Sequence, residues 1–450
     1  MIALAAMQEL VRRGQTRPLP WRLQQLRQLH ALLKELEEPL FQALASDLGK
    51  PGVEACIELL TVSDELQLAR RHLRRWMAPR PVPLQLIQQP GRAWVQCEPL
   101  GTVLIMGPWN YPFMLLMRPL VSALAAGNTA VLKPSEQAPA VAELLAEAIP
   151  RHFSPEVVQV QLGGVETGQA LLRQPFDHVV FTGGTSIGRL VMQAAAEQLI
   201  PVTLELGGKS PCIVLDDADV QVSARRIAWG RFLNAGQSCV APDYVLVSQA
   251  MRQPLEDSLK AAIRAFYGPD PRQSPDFARL VNTRQFDRVE RLLQGATVLH
   301  GGERIRAERY IAPTLVEGDP DSPLMQEEIF APVLPLLTVA NLEEALDFIR
   351  QRPKPLSLYL FSRSRQAQER VLQTSSSGNV VINDTVLQAA AAGLPFGGVG
   401  ASGMGRCHGE SGFLQLSNQR AVLQRRFALD LPLRYPPYRN TLSWMRRLLS

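Results

Sequence analysis

Five short runs decide the fold: Thr-Val-Leu-Ile-Met (102–106), Ala-Val-Leu (130–132), Val-Val-Gln-Val-Gln (157–161), His-Val-Val-Phe (178–181) and Val-Thr-Leu-Glu-Leu (202–206). Helical patterns separate them, one running to Ala126 and others over 138–149, 166–172 and 186–199. Short apolar strands alternating with helices build a parallel, doubly wound α/β sheet. Such sheets take ligands beyond the carboxyl ends of their strands. Upstream, the first 78 residues read as helices. Leu23, Leu26, Leu29, Leu33, Leu36 and Leu40 make one stripe at 3–4 spacing, and Val53 to Met77 is a second long pattern. Pro79, Pro81 and Pro83 force an extended linker. Downstream, a second α/β block shows strand-like runs at 244–247, 356–361 and 379–382, and Cys212 falls on a strand. From about Arg406 the pattern reads as irregular, then basic.

Composition narrows the class. With 46% hydrophobic residues in 450, the chain is too apolar to be disordered. Cys56, Cys97, Cys212, Cys239 and Cys407 show no CxxC and no metal-ligand spacing, so a reducing compartment and no metal are expected. The most apolar stretch, Thr102 to Met117, is broken by Gly107, Pro108, Asn110 and Pro112, so no transmembrane helix is expected. The N-terminus does not read as a signal peptide, and the expected location is cytoplasmic. The net charge of +5 comes from the tail: residues 420–450 hold seven Arg and one Asp. No aromatic-interleaved basic motif supports nucleic-acid binding.

Chemistry concentrates at strand ends and Gly-rich turns. Leu-Gly-Gly-Lys-Ser (206–210) resembles the end of a P-loop, but Thr203 stands where Gly is needed and Pro211 blocks the helix. Phe-Thr-Gly-Gly-Thr-Ser-Ile-Gly (181–188) follows a strand and opens a helix. Gly183, Gly184 and Gly188 fit an anion-binding turn, or simply a tight turn. Lys133 and Glu136 follow the second strand, where an acid can meet ribose hydroxyls; a surface turn capped by Ser135 is the alternative. A lone cysteine is ordinarily inert core, yet Cys239 follows Gly-Gln-Ser and precedes Pro242, which suggests a turn presenting a thiol. Glu205 lies in an apolar strand, where burial would raise its pKa toward that of a neutral-pH base, unless it faces solvent. Asn110 ends the first strand with an amide available to a ligand.

Together these segments resemble the aldehyde dehydrogenase superfamily, closest to its class 3 branch of fatty and aromatic aldehyde enzymes. The motifs are Pro-Trp-Asn-Tyr-Pro (108–112), Lys-Pro-Ser-Glu (133–136), the 181–188 turn, Glu-Leu-Gly-Gly-Lys-Ser-Pro (205–211), Gly-Gln-Ser-Cys-Val-Ala-Pro-Asp-Tyr (236–244), Glu-Glu-Ile-Phe (327–330) and Leu-Pro-Phe-Gly-Gly-Val-Gly (394–400). They run in family order from Leu-Gly-Lys (48–50) onward. The chain departs from class 3 at Ala331 for Gly, Ala401 for Asn and Gly184 for Ser.

The resemblance implies two doubly wound α/β domains with a small β bridging element. A Rossmann-like NAD(P) domain would span 1–76 and 98–207, and a catalytic domain 208–405. The bridging and oligomerisation element would span 77–97 and 406–430, with a basic tail at 431–450. Cys239 would be the nucleophile, Glu205 the base for hydrolysis, and Asn110 with the Cys239 N–H the oxyanion site. Lys133, Glu136, Gly183, Gly184, Gly188, Glu328 and Phe330 would contact NAD, with NADP also open; Tyr111 and Phe396 would line the aldehyde pocket. The implied reaction takes a medium- or long-chain aliphatic, or an aromatic, aldehyde to its acid in a homodimer. The alternatives are a coenzyme-A-acylating aldehyde dehydrogenase and a non-catalytic binding protein. Tyr-Pro-Pro-Tyr (435–438) resembles fatty-aldehyde members. Trp444, Met445, Leu448 and Leu449 beside Arg446 and Arg447 suggest weak peripheral membrane contact.

Overall fold

The computed structural model of the chain describes residues 2–85, 88–428, 430, 434–438 and 441–447. The five runs form Thr102–Met106, Thr129–Lys133, Val158–Val160, His178–Thr182 and Val202–Glu205, paired in parallel. Thr102–Met106 is central: the next two strands in sequence lie on one side of it and the following two on the other. Winding therefore reverses between Thr102–Met106 and His178–Thr182, and the loops leaving these strands flank the ligand crevice of such a sheet. Gly403–Met404 adds an antiparallel edge beside Val202–Glu205.

Helices cover this sheet. The 26-residue helix Gly52–Met77 buries Ala55, Glu58, Val62, Glu65, Leu66, Ala69, Leu73 and Trp76, a stripe at 3–4 spacing. Two members of that stripe are carboxylates. Glu58 meets Lys50 at 2.6 Å and Glu65 meets Arg118 at 3.1 Å, all four side chains buried. An unpaired charge there would cost several kcal/mol, so these pairs fix how the helix docks on its neighbours. The leucine stripe of 23–40 is shared by two helices, Leu19–Glu35 and Glu37–Leu48, rather than one. Pro39 falls in the first turn of the second, where a proline is tolerated. The helix expected over 186–199 stops at Ala196, and Leu199 is left-handed and exposed.

Among the described residues the second sheet has seven strands, ordered Val298–His300, Thr314–Glu317, Val333–Val339, Tyr244–Ser248, Pro211–Val214, Ser357–Phe361 and Asn379–Ile382. The first three of these escaped the sequence reading. Val333–Val339 carries Pro335, which argues against a strand inside a sheet, and the other two are only three and four residues long.

The block after Arg406 is not irregular. It forms the helix Gly409–Gln415 and the nine-residue strand Ser417–Arg425. That strand pairs antiparallel with Gly91–Pro99, which also pairs with Arg80–Val82. Ser417–Arg425 is mostly exposed and carries Gln and Arg on both faces, so it lacks the alternating apolar signal.

The chain leaves the first sheet at Glu205 and enters the second at Pro211. Residues following strands of the first sheet thus meet loops that precede strands of the second. No helix among the described residues is long and apolar enough to cross a membrane.

Candidate active site

Cys239 lies between the helix Val220–Phe232 and the strand Tyr244–Ser248. The chain reaches it through three consecutive left-handed residues: Asn234 (φ 51°), Ala235 (φ 52°) and Gly236 (φ 74°). Such backbone costs about 1 kcal/mol or more at each non-glycine position and persists only when its surroundings over-determine it. Here they do. Glu54 accepts from the Asn234 N–H at 2.9 Å. Asn234 Nδ2 donates to the carbonyls of Asn110 at 2.8 Å and Gln237 at 3.2 Å. Gln237 is buried and bonds to Asn234, Arg279 and Val281. A Cβ on Gly236 would lie 2.3 Å from the Ala331 oxygen, so this turn requires glycine.

Asn110 faces the same loop. Its Nδ2 donates to the Gln237 carbonyl at 3.0 Å, and the second amide hydrogen has no acceptor among the described residues. Its carbonyl accepts from Lys50 Nζ at 3.1 Å, and Lys50 sits 4.2 Å from the Tyr111 ring centre. The buried Lys50–Glu58 pair therefore anchors the turn that presents Asn110. Glu58 also accepts from the Met114 N–H at 3.0 Å, at the start of the next helix.

Two carboxyls complete the centre. Glu205 is 6% exposed, and among the described residues neither oxygen has an N–H or O–H hydrogen-bond partner. Burial pushes it up to about 8; the nearby Cys407 thiol and Arg406 bring it only part of the way back. It has no ion pair among the described residues and does not face solvent. Glu328 is also pushed up to about 8, by burial and then by the charge of Asp243. A Cβ on Gly207 would lie 2.0 Å from Glu328 Oε2, so glycine lets this carboxyl rest against the crossover between the sheets. Burial, followed by the charges of Glu328 and Glu205, pushes the Cys239 thiol up to about 12, while the N–H groups of Cys239 and Val240 work the other way. Cys239, Glu205 and Glu328 thus sense one another across a shared space.

A buried ion cluster supports the loop that carries Glu328 and Phe330. Asp243 pairs with Lys209 at 2.5 Å and Arg231 at 3.0 Å, and accepts from the Ile329 N–H at 3.2 Å. Lys209 donates to the carbonyls of Leu324 and Glu327. Phe330 is left-handed (φ 51°), and its ring meets Trp109 edge-on at 5.3 Å. Sequence reasoning missed Lys50, Glu54, Glu58, Asn234, Lys209, Arg231 and Asp243 as parts of the site. Lysine is scarce in this chain, and Lys50 and Lys209 both lie inside motifs, which was the available signal.

The remaining candidates lie along the first sheet. Lys133 is buried, and its Nζ meets Glu136 at 3.2 Å; Glu136 keeps a half-exposed carboxylate. Gly184 precedes the 12-residue helix Thr185–Ala196, whose N-terminus has no side-chain cap, and nothing lies within 4 Å of a Cβ built there. The three glycines are not equivalent. A Cβ on Gly183 would meet the Phe181 ring at 2.5 Å, and one on Gly188 would meet Leu206 at 2.6 Å. Those two are needed for internal packing, and only Gly184 opens onto free space. Val165 and Ile187, in the first turns of neighbouring helices, are half to mostly exposed and were not singled out from sequence.

Tyr111 is buried beside Ser238, so the two flank the cysteine loop. Phe396 is buried and stacks on His408 at 5.0 Å. It shares a hydrophobic cluster with Val240, Leu356 and Val386, against which Cys239 and Trp229 pack. Among the described residues no group of three or more His, Cys, Asp and Glu side chains could hold a metal ion.

Comparison with known proteins gives a consistent picture. The sequence model described as "Aldehyde dehydrogenase family" matches residues 2–422. The chain is 44% identical to Aldehyde dehydrogenase family 3 member A2 of Rattus norvegicus, covering 98% of this chain and 93% of that one. It is 45% identical to "Aldehyde dehydrogenase, dimeric NADP-preferring" of Canis lupus familiaris, covering 94% of each. A solved structure of Staphylococcus aureus AldH in a substrate-bound state superposes with a TM-score of 0.96 at 42% identity, covering 99% of this chain and 98% of that one.

Proposed function

The chain belongs to the aldehyde dehydrogenase family, and from that premise we propose that it oxidises an aldehyde to the carboxylic acid through Cys239. One observation carries the reading: Cys239, Asn110, Glu205 and Glu328 come from four separate segments and converge on one space. The Cys239 sulfur adds to the aldehyde carbon and the thiol proton passes to solvent water. The carbonyl oxygen, now an oxyanion, accepts from the free Asn110 amide hydrogen and the Cys239 N–H. Pre-aimed donors of this kind are worth about 10²–10³ in rate each. Glu205 then takes a proton from water as the water attacks the thioester carbon. The acid leaves and the thiol is restored.

A nicotinamide dinucleotide fits the residues present. The uncapped helix N-terminus behind Gly184 offers unpaired N–H groups and open space to a pyrophosphate. Glu136 offers an acceptor to ribose hydroxyls, the charge of Glu328 bears on the thiol, and Phe330 follows on the same loop, against Trp109. Bound, the dinucleotide supplies the hydride acceptor that turns the thiohemiacetal into the thioester. The negative charge of Glu136 favours NAD over NADP, although one relative is named NADP-preferring. The buried Glu205 favours hydrolysis over transfer to coenzyme A.

Assembly and location extend the same reading. Among the described residues Ser417–Arg425 is an edge strand with one unpaired side, which supports a homodimer joined through the bridging sheet. The tail helix Thr441–Arg447 exposes Leu442 and Met445 beside Arg446, in keeping with peripheral membrane contact. Leu448 and Leu449 lie outside the described residues, and the Trp444 side chain is not described. Unchanged liposome flotation after deleting 440–450 would remove that idea.

The test is NADH and NADPH formation with aldehydes from C2 to C16 and benzaldehyde, beside Cys239→Ala. Turnover without coenzyme A that vanishes in Cys239→Ala is expected. No turnover with either cofactor, or turnover that survives the substitution, overturns the reading.

A further inference from the structure

The strand Ser357–Phe361 carries Tyr359, a fully buried tyrosine whose hydroxyl donates to the Val240 carbonyl, one residue beyond the nucleophile. Cys239 and Val240 occupy the corners of a turn closed by the Ala241 N–H on the Ser238 carbonyl at 3.1 Å. The N–H groups of both corner residues favour the thiolate. Asn110, Gln237 and Glu54 hold the approach to this turn. On its far side the Val240 carbonyl has no other donor among the described residues.

The surroundings commit the Tyr359 hydroxyl to that carbonyl. Gln388 Nε2 donates to the Tyr359 oxygen at 3.0 Å and to Ser357 Oγ at 2.9 Å, and the Val386 N–H bears on the same tyrosine oxygen. A phenol has one hydrogen and two lone pairs. With donors on the lone pairs, the hydrogen is left for Val240. Val386 is left-handed (φ 54°), which a β-branched residue keeps only where its surroundings impose it. Here Thr385 Oγ1 donates to the Arg226 carbonyl at 2.7 Å and Arg118 donates to the Ala389 carbonyl at 2.5 Å. The Val386 side chain packs with Val240 and Phe396 beside Cys239.

We propose that Tyr359 is a positioning residue for the nucleophile: oriented by Gln388, its hydroxyl holds the Val240 carbonyl, and with it the turn that aims the Cys239 sulfur and N–H at the aldehyde. The inference rests on the aldehyde-oxidising reading and adds two residues to it. Freed of this bond, the two corner residues can rotate, and the N–H donors at the sulfur lose their aim. Gln388 acts one step further out. Its amide supplies hydrogens to the phenol oxygen and so keeps the phenol's own hydrogen on Val240.

The experiment measures the rate at which iodoacetamide alkylates Cys239, by peptide mass spectrometry, in the wild type, Tyr359→Phe, Gln388→Glu and the double variant. The readout needs neither aldehyde nor dinucleotide. Failure of the proposed oxidation would show separately, as turnover that survives Cys239→Ala. Phenylalanine keeps the ring and removes the hydroxyl. The Gln388→Glu carboxylate offers the hydroxyl hydrogen a competing acceptor. Cys212 is the control: it is fully buried and lies opposite Tyr359 in the sheet, so a loosened sheet would expose it. Each single variant should slow alkylation of Cys239 about fivefold, the scale of one hydrogen bond, with Cys212 unlabelled throughout. The single-turnover NADH burst should slow by the same factor while KM for NAD stays unchanged. The double variant should lose no more than either single one, because both act through one hydroxyl. Alkylation at the wild-type rate in Tyr359→Phe, a loss matched by labelling of Cys212, or losses that multiply in the double variant would overturn the proposal.

Discussion

Replacing Glu205 by Gln should change the pH dependence of stability in a direction the burial dictates. The Glu205 carboxyl sits at about 8, against an ordinary value of 4.5. Its folded-state pKa is raised, so folding favours the protonated form. The contribution is fully present below 4.5 and is lost as pH rises toward 8. Every tenfold change in proton affinity on folding corresponds to about 1.36 kcal/mol, so between pH 5 and pH 9 the wild type gives up about 4 kcal/mol at this one residue. Glutamine keeps the shape and carries no proton to lose. A 450-residue chain has an unfolding entropy of about 0.9 kcal/mol per kelvin, so 4 kcal/mol is worth about 4 °C in Tm. Thermal unfolding of both proteins at one scan rate, at pH 5, 7 and 9, measures this as a difference in which other titrations cancel. Glu205→Gln should gain about 4 °C on the wild type between pH 5 and 9. A gap that does not change with pH, or a variant that loses ground at pH 9, would refute the claim that burial outweighs the Cys407 thiol and Arg406 at this carboxyl.

Asn110→Ala should lower kcat by about 10²–10³ through loss of an oxyanion donor, measured as NADH formation at saturating aldehyde. Lys50→Met should destabilise the fold by about 3–5 kcal/mol because Glu58 is left buried and unpaired; Lys50→Met with Glu58→Leu should recover most of that loss, read from denaturant midpoints. Gly188→Ala should cost about 1–3 kcal/mol by pressing into Leu206, whereas Gly184→Ser should stay within about 0.5 kcal/mol, as differential scanning would show.

The parallel strands of the first sheet were legible because a strand buried on both faces reads as an unbroken apolar run, and Thr102–Met106 and His178–Thr182 are such runs. Val333–Val339 was hidden by Pro335. Ser417–Arg425 was hidden because an exposed strand rich in Gln and Arg carries no alternation. The groups proposed to do chemistry stood out at strand ends: Asn110, Glu205 and Cys239. What supports them did not. Lys50 and Asp243 act through partners far along the chain, the Asn110 carbonyl and the Ile329 N–H. The left-handed Asn234 and Ala235 depend on a hydrogen bond from 180 residues away, to Glu54. The individual duties of Gly183, Gly184 and Gly188 also needed coordinates, since only the structure shows which of them faces open space.

The central claim is that Cys239 carries the acyl group and Glu205 releases it. Mass spectrometry of Glu205→Gln, quenched after one turnover with NAD and an aldehyde, tests this most directly. The account predicts one equivalent of NADH and one stable acyl group on the peptide containing Cys239, where the wild type retains none. An acyl group on another cysteine, or a variant that releases acid as fast as the wild type, would contradict it.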